Sequence, residues 1–461
     1  MITTNTANSP RTITGALVGV VTSGLLASAA LGSVPSANAT CASFFGIGNG
    51  NGCHSSITGI AIAIGDGATA TADGFLTTAI AIGNGTTSAS VDSTAVLGAA
   101  TTLFGDSNTV SVVGGVLNSA FNLGGTSNIA TTEGSLLNSA TNILGSHITL
   151  STAGGYFNLA RNILGKSNTI TASGGNGNTA ENILGTNQTV AVTGGSGNAA
   201  RNIGGDGLGA KGVTVLAGNN NAAVNFFGSG EAVTVIGGSV NLARNWFGFG
   251  NIVTILGGNN NLASNLLGGT GNTLTVTGGS WNSARNIGGD GNTLNVGSAT
   301  SNLTTALNLF SSGNTLTSGL GPGSNLEAAI NIGGGKNQVT AVPGTLNAAF
   351  NFLGSGNVGN TLNAGPGPFT LVGTILRDGL SISKTTPGIA INSFRTSGAA
   401  AVAPTATPAT AVPTKTTASK APVSAAATTS SSNQTSKATG NAGGATTGGA
   451  KTNTAKTRSH G

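Results

Sequence analysis

The sequence predicts an all-β protein, a β-solenoid (parallel β-helix) with coils of about 20 residues and a disordered C-terminal tail. Three observations predict it. The pattern Asn-x-Ala-x-Asn returns about every 20 residues, and the segments between alternate with period two, as strands do. Glycine supplies 78 of 461 residues while charged residues supply only 6%, which favours a thin repetitive scaffold over a thick globular core.

Residues 1–39 have the features of an export signal peptide. Arg11 supplies positive charge, an apolar run occupies 13–32, and Ala37-Asn38-Ala39 fits a small-x-small cleavage site. A membrane anchor is the alternative, because the run approaches spanning length. Its glycines, serines and threonines and the cleavage site favour removal. We therefore expect a secreted or cell-envelope protein without a transmembrane span after signal removal.

Residues 40–56 contain the two cysteines of the chain, Cys41 and Cys53. In an exported protein an even number of cysteines predicts a disulfide, here just after the mature N-terminus. The alternative, a metal or redox pair, has no histidine cluster and no Cys-x-x-Cys to support it. We therefore expect residues 40–56 to be a segment closed by the Cys41–Cys53 disulfide.

Residues 57–102 show a related but shorter rhythm, with Ala-Ile-Ala-Ile-Gly at 61–65 and again at 79–83. This stretch resembles the head-domain repeats of trimeric autotransporter adhesins. The resemblance implies short-period β-coils that stack before the main solenoid begins.

Residues 103–373 form the 20-residue repeat. Two alternating columns in each repeat predict an inward strand face, one beginning at Val110 and the other at Val112. Glycine pairs such as Gly114–Gly115 supply the turn that follows.

The Asn-x-Ala-x-Asn positions lie two residues apart and predict a second inward face. Asparagine amides that are stacked about 4.8 Å apart can bond to one another as a ladder, and alanine leaves room for the opposing strand. An unstacked buried amide would be costly, so every coil must repeat it. The predicted structural ladder comprises Asn122, Asn142, Asn162, Asn182, Asn202, Asn225, Asn245, Asn265, Asn286, Asn308, Asn331 and Asn351.

The periodicity ends after residue 373. Residues 374–395 are expected to close the last coil as a C-terminal cap, and residues 396–461 are a low-complexity Ala/Thr/Pro/Ser tail that cannot build a core. Seven basic residues and no acidic residue lie in 395–461, which leaves ten basic and eleven acidic residues elsewhere. The basic character of the chain therefore belongs to the tail.

The whole chain also resembles the glycine- and asparagine-rich exported repeat proteins of mycobacteria, the PE-PGRS and PPE-MPTR groups, without their N-terminal helical domain. Residues 354–359, Gly-Ser-Gly-Asn-Val-Gly, match part of the asparagine-glycine style of the second group. The resemblance implies a secreted or cell-surface protein.

One outward column carries arginine on alternate coils, at Arg161, Arg201, Arg244 and Arg285. Such a column could bind an anionic polysaccharide or a phosphate-bearing glycolipid, or contact a host surface. The alternative is a solvated face on which Glu181 neutralises Arg161 and Arg201. Nothing in the sequence predicts a nucleic-acid partner, a cofactor or a metal site.

A second outward column holds hydroxyls on the first strand of the repeat, as in Thr109 and Ser111 or Thr169 and Thr171. A regular array of this kind could order water at an ice surface, and it would have to lie on one evenly spaced face.

We therefore expect a non-enzymatic structural or interaction protein, with adhesion or envelope association through the side of the solenoid. The alternative is a carbohydrate-active β-helix enzyme, since lyases and hydrolases also use this fold. That alternative needs acids and bases clustered on adjacent coils, whereas the eleven acids are scattered and predict no catalytic residue.

Overall fold

The structure, a computed structural model, describes residues 40–49, 52–207, 212–354, 358–392 and 394–395. Every regular element in these ranges is a β-strand, which confirms the predicted all-β solenoid. The predicted signal peptide (1–39) and tail (396–461) lie outside the described residues.

The strands are short, and most contain five residues. In chain order they are β1 (Thr40–Phe44), β2 (Ile47–Gly48), β3 (Cys53–Ser55), β4 (Ile60–Ile64), β5 (Thr69–Ala72), β6 (Thr78–Asn84), β7 (Ser88–Val91), β8 (Ala99–Asp106), β9 (Thr109–Val113), β10 (Ser119–Leu123), β11 (Ile129–Glu133), β12 (Ser139–Ile143), β13 (Thr149–Ala153), β14 (Leu159–Ile163), β15 (Thr169–Ser173), β16 (Thr179–Ile183), β17 (Thr189–Thr193), β18 (Ala199–Ile203), β19 (Gly212–Leu216), β20 (Ala222–Ser229), β21 (Ala232–Ile236), β22 (Leu242–Phe249), β23 (Ile252–Leu256), β24 (Leu262–Leu266), β25 (Thr273–Thr277), β26 (Ser283–Ile287), β27 (Thr293–Val296), β28 (Thr305–Leu309), β29 (Thr315–Ser318), β30 (Ala328–Ile332), β31 (Gln338–Ala341), β32 (Gly344–Thr345), β33 (Ala348–Phe352), β34 (Thr361–Ala364), β35 (Gly367–Pro368), β36 (Thr370–Ile375), β37 (Ser381–Lys384), β38 (Gly388–Ile391) and β39 (Phe394–Arg395).

Each coil contributes one strand to each of two sheets. Sheet A contains β1, the even-numbered strands from β2 to β30, and β33, β36, β38 and β39. Sheet B contains the odd-numbered strands from β3 to β31, and β34 and β37. Without the antiparallel strands β1, β2 and β39, the 20-stranded sheet A keeps 17 parallel strands, one for each coil. Equivalent residues pair directly, as Asn122 does with Asn142.

Antiparallel strands cover both ends of sheet A. At the N-terminal end β1 pairs with β4, and the disulfide between Cys41 and Cys53 joins β1 of sheet A to β3 of sheet B. At the other end β39 pairs with β38. The strands β36 and β38 are still parallel coil strands, so the change to antiparallel pairing comes only at the end of the described chain. These strands protect edges that could otherwise pair with another chain.

The core lies between the two sheets and is different on its two sides. Sheet B contributes branched side chains, and the columns that begin at Val110 and Val112 are fully buried, as predicted. Sheet A contributes alanine and asparagine, and the alanines from Ala120 to Ala349 in this column have no exposed surface. A small residue on sheet A opposite a large one on sheet B keeps the two sheets close together.

The coils of residues 57–102 belong to the same two sheets. Ala61 pairs with Ala79 and Ala79 with Ala100, although these steps span 18 and 21 residues. Differences in coil length are absorbed by the turns, and the strands stay in register.

Candidate functional site

The predicted asparagine ladder runs along the inner face of sheet A. In each of its steps the side-chain Nδ2 donates a hydrogen bond of 2.6–3.0 Å to the Oδ1 of the asparagine one coil earlier. All twelve residues are buried. The ladder is therefore part of the scaffold and leaves the outer faces to carry function.

The earlier asparagine of the motif is also buried but bonds differently from our expectation of stacked amides. The Oδ1 of Asn118 accepts a hydrogen bond from the backbone N–H of Asn138, and its Nδ2 donates to the carbonyl oxygens of Gly114 and Gly134. These residues precede the strand, where backbone groups of the turn lack ladder partners. They therefore fasten each turn to the next coil.

A third column of buried asparagines precedes the strands of sheet B, and our sequence analysis missed it. Asn128 illustrates it, since its Oδ1 accepts from the backbone N–H of Ile148. The sequence contains a pattern that indicates this column, because an asparagine often stands two residues before the first buried residue of β9 and its equivalents. The members are Asn108, Asn128, Asn168, Asn251, Asn272, Asn292, Asn314, Asn337 and Asn360.

Face A, the outer face of sheet A, carries an uninterrupted apolar column. Its members are outward residues near the ends of the 16 strands from β4 to β36. They pair in register from coil to coil, except that the pairing of β22 with β24 stops one residue before Trp246 and Leu266. At about 4.8 Å per coil the column is roughly 70 Å long. They are Ile64, Ile82, Leu103, Leu123, Ile143, Ile163, Ile183, Ile203, Phe226, Trp246, Leu266, Ile287, Leu309, Ile332, Phe352 and Ile375.

The turn that leaves each strand of sheet A adds a second column beside the first, here called the exit column. Its ten large apolar residues have positive φ between 49° and 63° and are 44–70% exposed. They are Phe104, Leu144, Leu164, Leu184, Phe227, Phe247, Leu267, Phe310, Leu353 and Leu376.

Positive φ costs a non-glycine residue about 1–3 kcal/mol, so the exit column needs an explanation. The backbone conformation itself comes from the solenoid, since Leu144 N–H donates to the Leu123 carbonyl and the equivalent bond recurs in most coils. Glycine adopts it without strain, and Gly124 and Gly204 do so at equivalent places. The choice of leucine or phenylalanine at exposed, strained positions is therefore not dictated by folding.

The opposite edge of sheet A repeats this arrangement in the turn that enters each strand. Apolar residues with positive φ stand there too, and most are exposed. Among them is the β-branched Val240, for which the conformation is especially unfavourable. This entry column comprises Leu76, Leu97, Leu117, Leu137, Phe157, Val240, Trp281, Leu303, Leu326, Leu346 and Phe369.

The predicted arginine column lies in the middle of face A and divides into two groups. Glu181 forms ion pairs with Arg161 (3.4 Å) and Arg201 (2.8 Å), as the solvated-face alternative supposed. Arg244 and Arg285 form no ion pair with any described residue. Burial lowers the pKa of Arg244, and the charge of Arg285 lowers it further. The unneutralised charge of face A is therefore concentrated at these two residues.

An aromatic cluster adjoins Arg244. The rings of Phe226 and Trp246 have centroids 5.4 Å apart, and those of Phe227 and Phe247 stack at 6.2 Å. The guanidinium carbon of Arg244 lies 6.0 Å from the Trp246 ring centroid, within cation–π range. Apolar rings and a cation thus occupy one place on face A.

Face B, the outer face of sheet B, carries the predicted hydroxyls in two in-register ranks, and both ranks are interrupted. Ile129, Ala232 and Ile252 stand in the first rank, and Ala191 and Asn295 stand in the central rank. In the central rank Thr214 pairs with Thr234 and Thr234 with Thr254. The hydroxyls of this rank between Thr131 and Thr340 are half-buried and form no hydrogen bond with another described residue. The central rank comprises Thr71, Ser90, Ser111, Thr131, Ser151, Thr171, Thr214, Thr234, Thr254, Thr275, Thr317, Thr340 and Ser383.

Two acids are buried inside the solenoid. Glu231 is 4% exposed and accepts hydrogen bonds from the backbone N–H and the Nδ2 of Asn251, and Glu327 is buried more deeply. Glu327 takes the place of an asparagine in the turn column and is 1% exposed, and burial raises its pKa to about 7. Backbone groups of Gly319 and Gly344 oppose the rise, although neither carboxyl oxygen has a partner at hydrogen-bond geometry. This group faces the interior and offers no access to a substrate.

The remaining charged groups form few contacts. His54 Nδ1 lies 2.5 Å from Asp73 Oδ1 near the N-terminal end of sheet B. The described residues contain no group of three or more His, Cys, Asp or Glu that could hold a metal ion. No helix able to cross a membrane was found in the same part of the chain.

No protein-family model, no curated protein and no solved structure matches the chain.

Proposed function

We propose that this protein is a non-catalytic, exported interaction protein that associates through face A with an amphipathic anionic partner of the cell envelope. The observation that carries the proposal is the exit column, in which ten large apolar side chains are held exposed at strained positions. Strain that folding does not require points to function.

The size of face A supports an extended partner. The apolar column and the exit column together form a strip roughly 70 Å long and two residues wide, with an area on the order of 500 Å². Monomeric proteins rarely expose apolar patches of more than a few hundred Å². A partner with an apolar surface, such as the lipid of an envelope, would cover the strip. Arg244 and Arg285 within the strip favour a partner that also carries negative charge.

Vesicle co-sedimentation of the mature chain tests the proposal. We expect binding to phosphatidylcholine vesicles that contain phosphatidic acid, and much weaker binding by the triple variant Leu144→Gly, Leu164→Gly, Leu184→Gly. Glycine suits the positive φ of these positions, so the variant should fold. The matched control is Ile129→Thr with Ile252→Thr, which removes exposed apolar side chains from face B.

If the triple variant and the wild type sediment equally with the phosphatidic acid vesicles, the proposal is wrong. A stable dimer that binds no vesicle and becomes a monomer in the triple variant would also contradict it, because face A would then be covered by a second copy. Light scattering measures this mass directly.

A second candidate function is the ordering of water at an ice surface by face B. The two ranks repeat at about 4.8 Å along the solenoid and lie about 6.6 Å apart across it. Half-buried hydroxyls without a protein partner must bond to water, so face B holds rows of positioned water. Thermal hysteresis of the wild type, lost in Thr234→Lys with Thr254→Lys, would support this function, and its absence from the wild type would exclude it.

A further inference from the structure

Face A contains two triplets of in-register residues, and in each triplet two arginines flank a middle residue. In the first, Arg161, Glu181 and Arg201 stand directly opposite one another on β14, β16 and β18. The Glu181 side chain is only 9% exposed, and each of its two oxygens faces a different guanidinium. The carboxylate of the middle coil thus neutralises the arginines of the coils above and below.

The second triplet has the same register but a different middle residue. Arg244, Ser264 and Arg285 stand opposite one another on β22, β24 and β26. Ser264 is fully buried and accepts a 2.8 Å hydrogen bond from Nε of Arg244. The Nε of Arg285 is buried and has no hydrogen-bond partner among the described residues.

The comparison shows what the second triplet lacks. Two half-buried arginines flank a short hydroxyl where the first triplet has a carboxylate, and their charges repel each other. A buried donor without a partner destabilises the folded chain, so an anion that supplies acceptor oxygens would be favoured there.

We propose that Arg244, Ser264 and Arg285 form a binding site for a phosphate group, which takes the place that the Glu181 carboxylate occupies in the first triplet. A phosphate offers oxygens to both guanidinium groups. It carries more charge than a carboxylate, which suits a ligand that is not tethered to the chain.

The surroundings of the triplet favour a phosphate attached to an apolar group. The ring of Trp246, two residues after Arg244 on β22, lies beside the Arg244 guanidinium, and the ring of Phe226 on β20 adjoins that of Trp246. A lipid phosphate could place its headgroup between the arginines and its chains on the aromatic cluster. The site would then supply the anion selectivity of face A, so this source of phosphate rests on the proposed function.

Calorimetric titration of the full chain with inorganic phosphate tests the site itself. We expect one phosphate per chain for the wild type, and binding at least about tenfold weaker for Arg285→Gln and for Ser264→Glu. Ser264→Glu supplies the missing carboxylate, so its urea midpoint should equal or exceed that of the wild type. The control is Lys166→Gln, which removes one positive charge at an exposed position, as Arg285→Gln removes one from the triplet. It should leave phosphate binding unaltered.

The opposite substitution can be made in the first triplet. Glu181→Ser recreates the second triplet in place of the first and should let the chain bind a second phosphate. A wild type that binds no phosphate would overturn the proposal, as would Ser264→Glu with unchanged phosphate binding.

Vesicles separate the two sources of phosphate. If the source is a lipid, Ser264→Glu should weaken sedimentation with phosphatidic acid vesicles and leave that with pure phosphatidylcholine unchanged. Ser264→Glu could instead abolish binding of inorganic phosphate while neither it nor the triple variant alters sedimentation with vesicles. The site would then bind free phosphate, and the proposed association of face A with lipid would be wrong.

Discussion

The hydroxyl of Thr374 donates a 2.6 Å hydrogen bond to Oδ1 of Asn351, the last asparagine of the sheet A ladder. At the other end the hydroxyl of Thr102 accepts a 3.1 Å bond from Nδ2 of Asn122. Both threonines are fully buried. A hydroxyl can donate or accept, so the same residue type completes the ladder at both ends and leaves no terminal amide unpaired.

Replacing one member of the ladder should be far more damaging than replacing its outward neighbour. Asn202→Leu removes the bonds to Asn182 (2.7 Å) and Asn225 (2.8 Å) and inserts a branched side chain beside the alanine column. We expect a loss of about 2–5 kcal/mol from stranded amides and overpacking. Arg201→Ala should cost no more than about 1 kcal/mol, because its ion pair lies at the surface. Denaturant unfolding measures both, and a larger loss for Arg201→Ala would reverse the assignment of the faces.

The buried carboxyl of Glu327 should make stability depend on pH. Its pKa is about 7 in the folded chain, above the ordinary value of 4.5. The unfolded chain therefore loses the proton first, and stability falls as the pH rises from about 4.5 to 7 and then levels. Glu327→Gln stays neutral and should be more stable than the wild type by about 3 kcal/mol above pH 7. Urea unfolding across this range is the measurement, with the exposed Glu133→Gln as the control; a constant difference between Glu327→Gln and the wild type would contradict the prediction.

The exit column should show its strain in a glycine substitution. Leu164→Gly relieves about 1–3 kcal/mol of backbone strain and adds about 0.5–1 kcal/mol of unfolded-state entropy. The variant should therefore be at least as stable as the wild type. Leu164→Ala keeps the strain and should be less stable than Leu164→Gly. The opposite order in thermal or urea unfolding would show that the leucine side chain stabilises the fold.

A glycine stands three residues after every ladder asparagine except Asn308, which Ser311 follows, and Gly145 should resist substitution. A Cβ at Gly145 would clash with Nδ2 of Asn162 and with Oδ1 of Asn142. We expect Gly145→Ala to lower the free energy of unfolding by about 1–3 kcal/mol, as overpacking does. Unchanged stability would mean that the ladder amides can shift without loss.

The sequence predicted the scaffold well because periodicity encodes it. The step from Asn122 to Asn142 and the alternation at Val110 and Val112 define coils, strands and inward faces without any knowledge of side-chain contacts. The ion pairs of Glu181 also followed from its position between two arginines.

The candidate site was less predictable, since it depends on backbone dihedrals and on which groups lack partners. Leu164 is an ordinary apolar residue in sequence, and only its positive φ and its exposure distinguish it from a core leucine. Ser264 was visible in the outward column, but its equivalence to Glu181 has meaning only once Arg244 and Arg285 are seen without an acid. The third asparagine column was overlooked because it lies outside the Asn-x-Ala-x-Asn motif.

Every amide of the sheet A ladder points the same way, with its N–H toward the N-terminal coil and its C=O toward the next. Aligned hydrogen-bonded dipoles polarise one another and add, as peptide dipoles do in a helix. The solenoid interior therefore has an electrical direction, positive toward the Thr102 end and negative toward the Thr374 end. A coil inserted in reverse would oppose the field of all the others, so the two ends of the stack are not interchangeable and a new coil can be added in one orientation only.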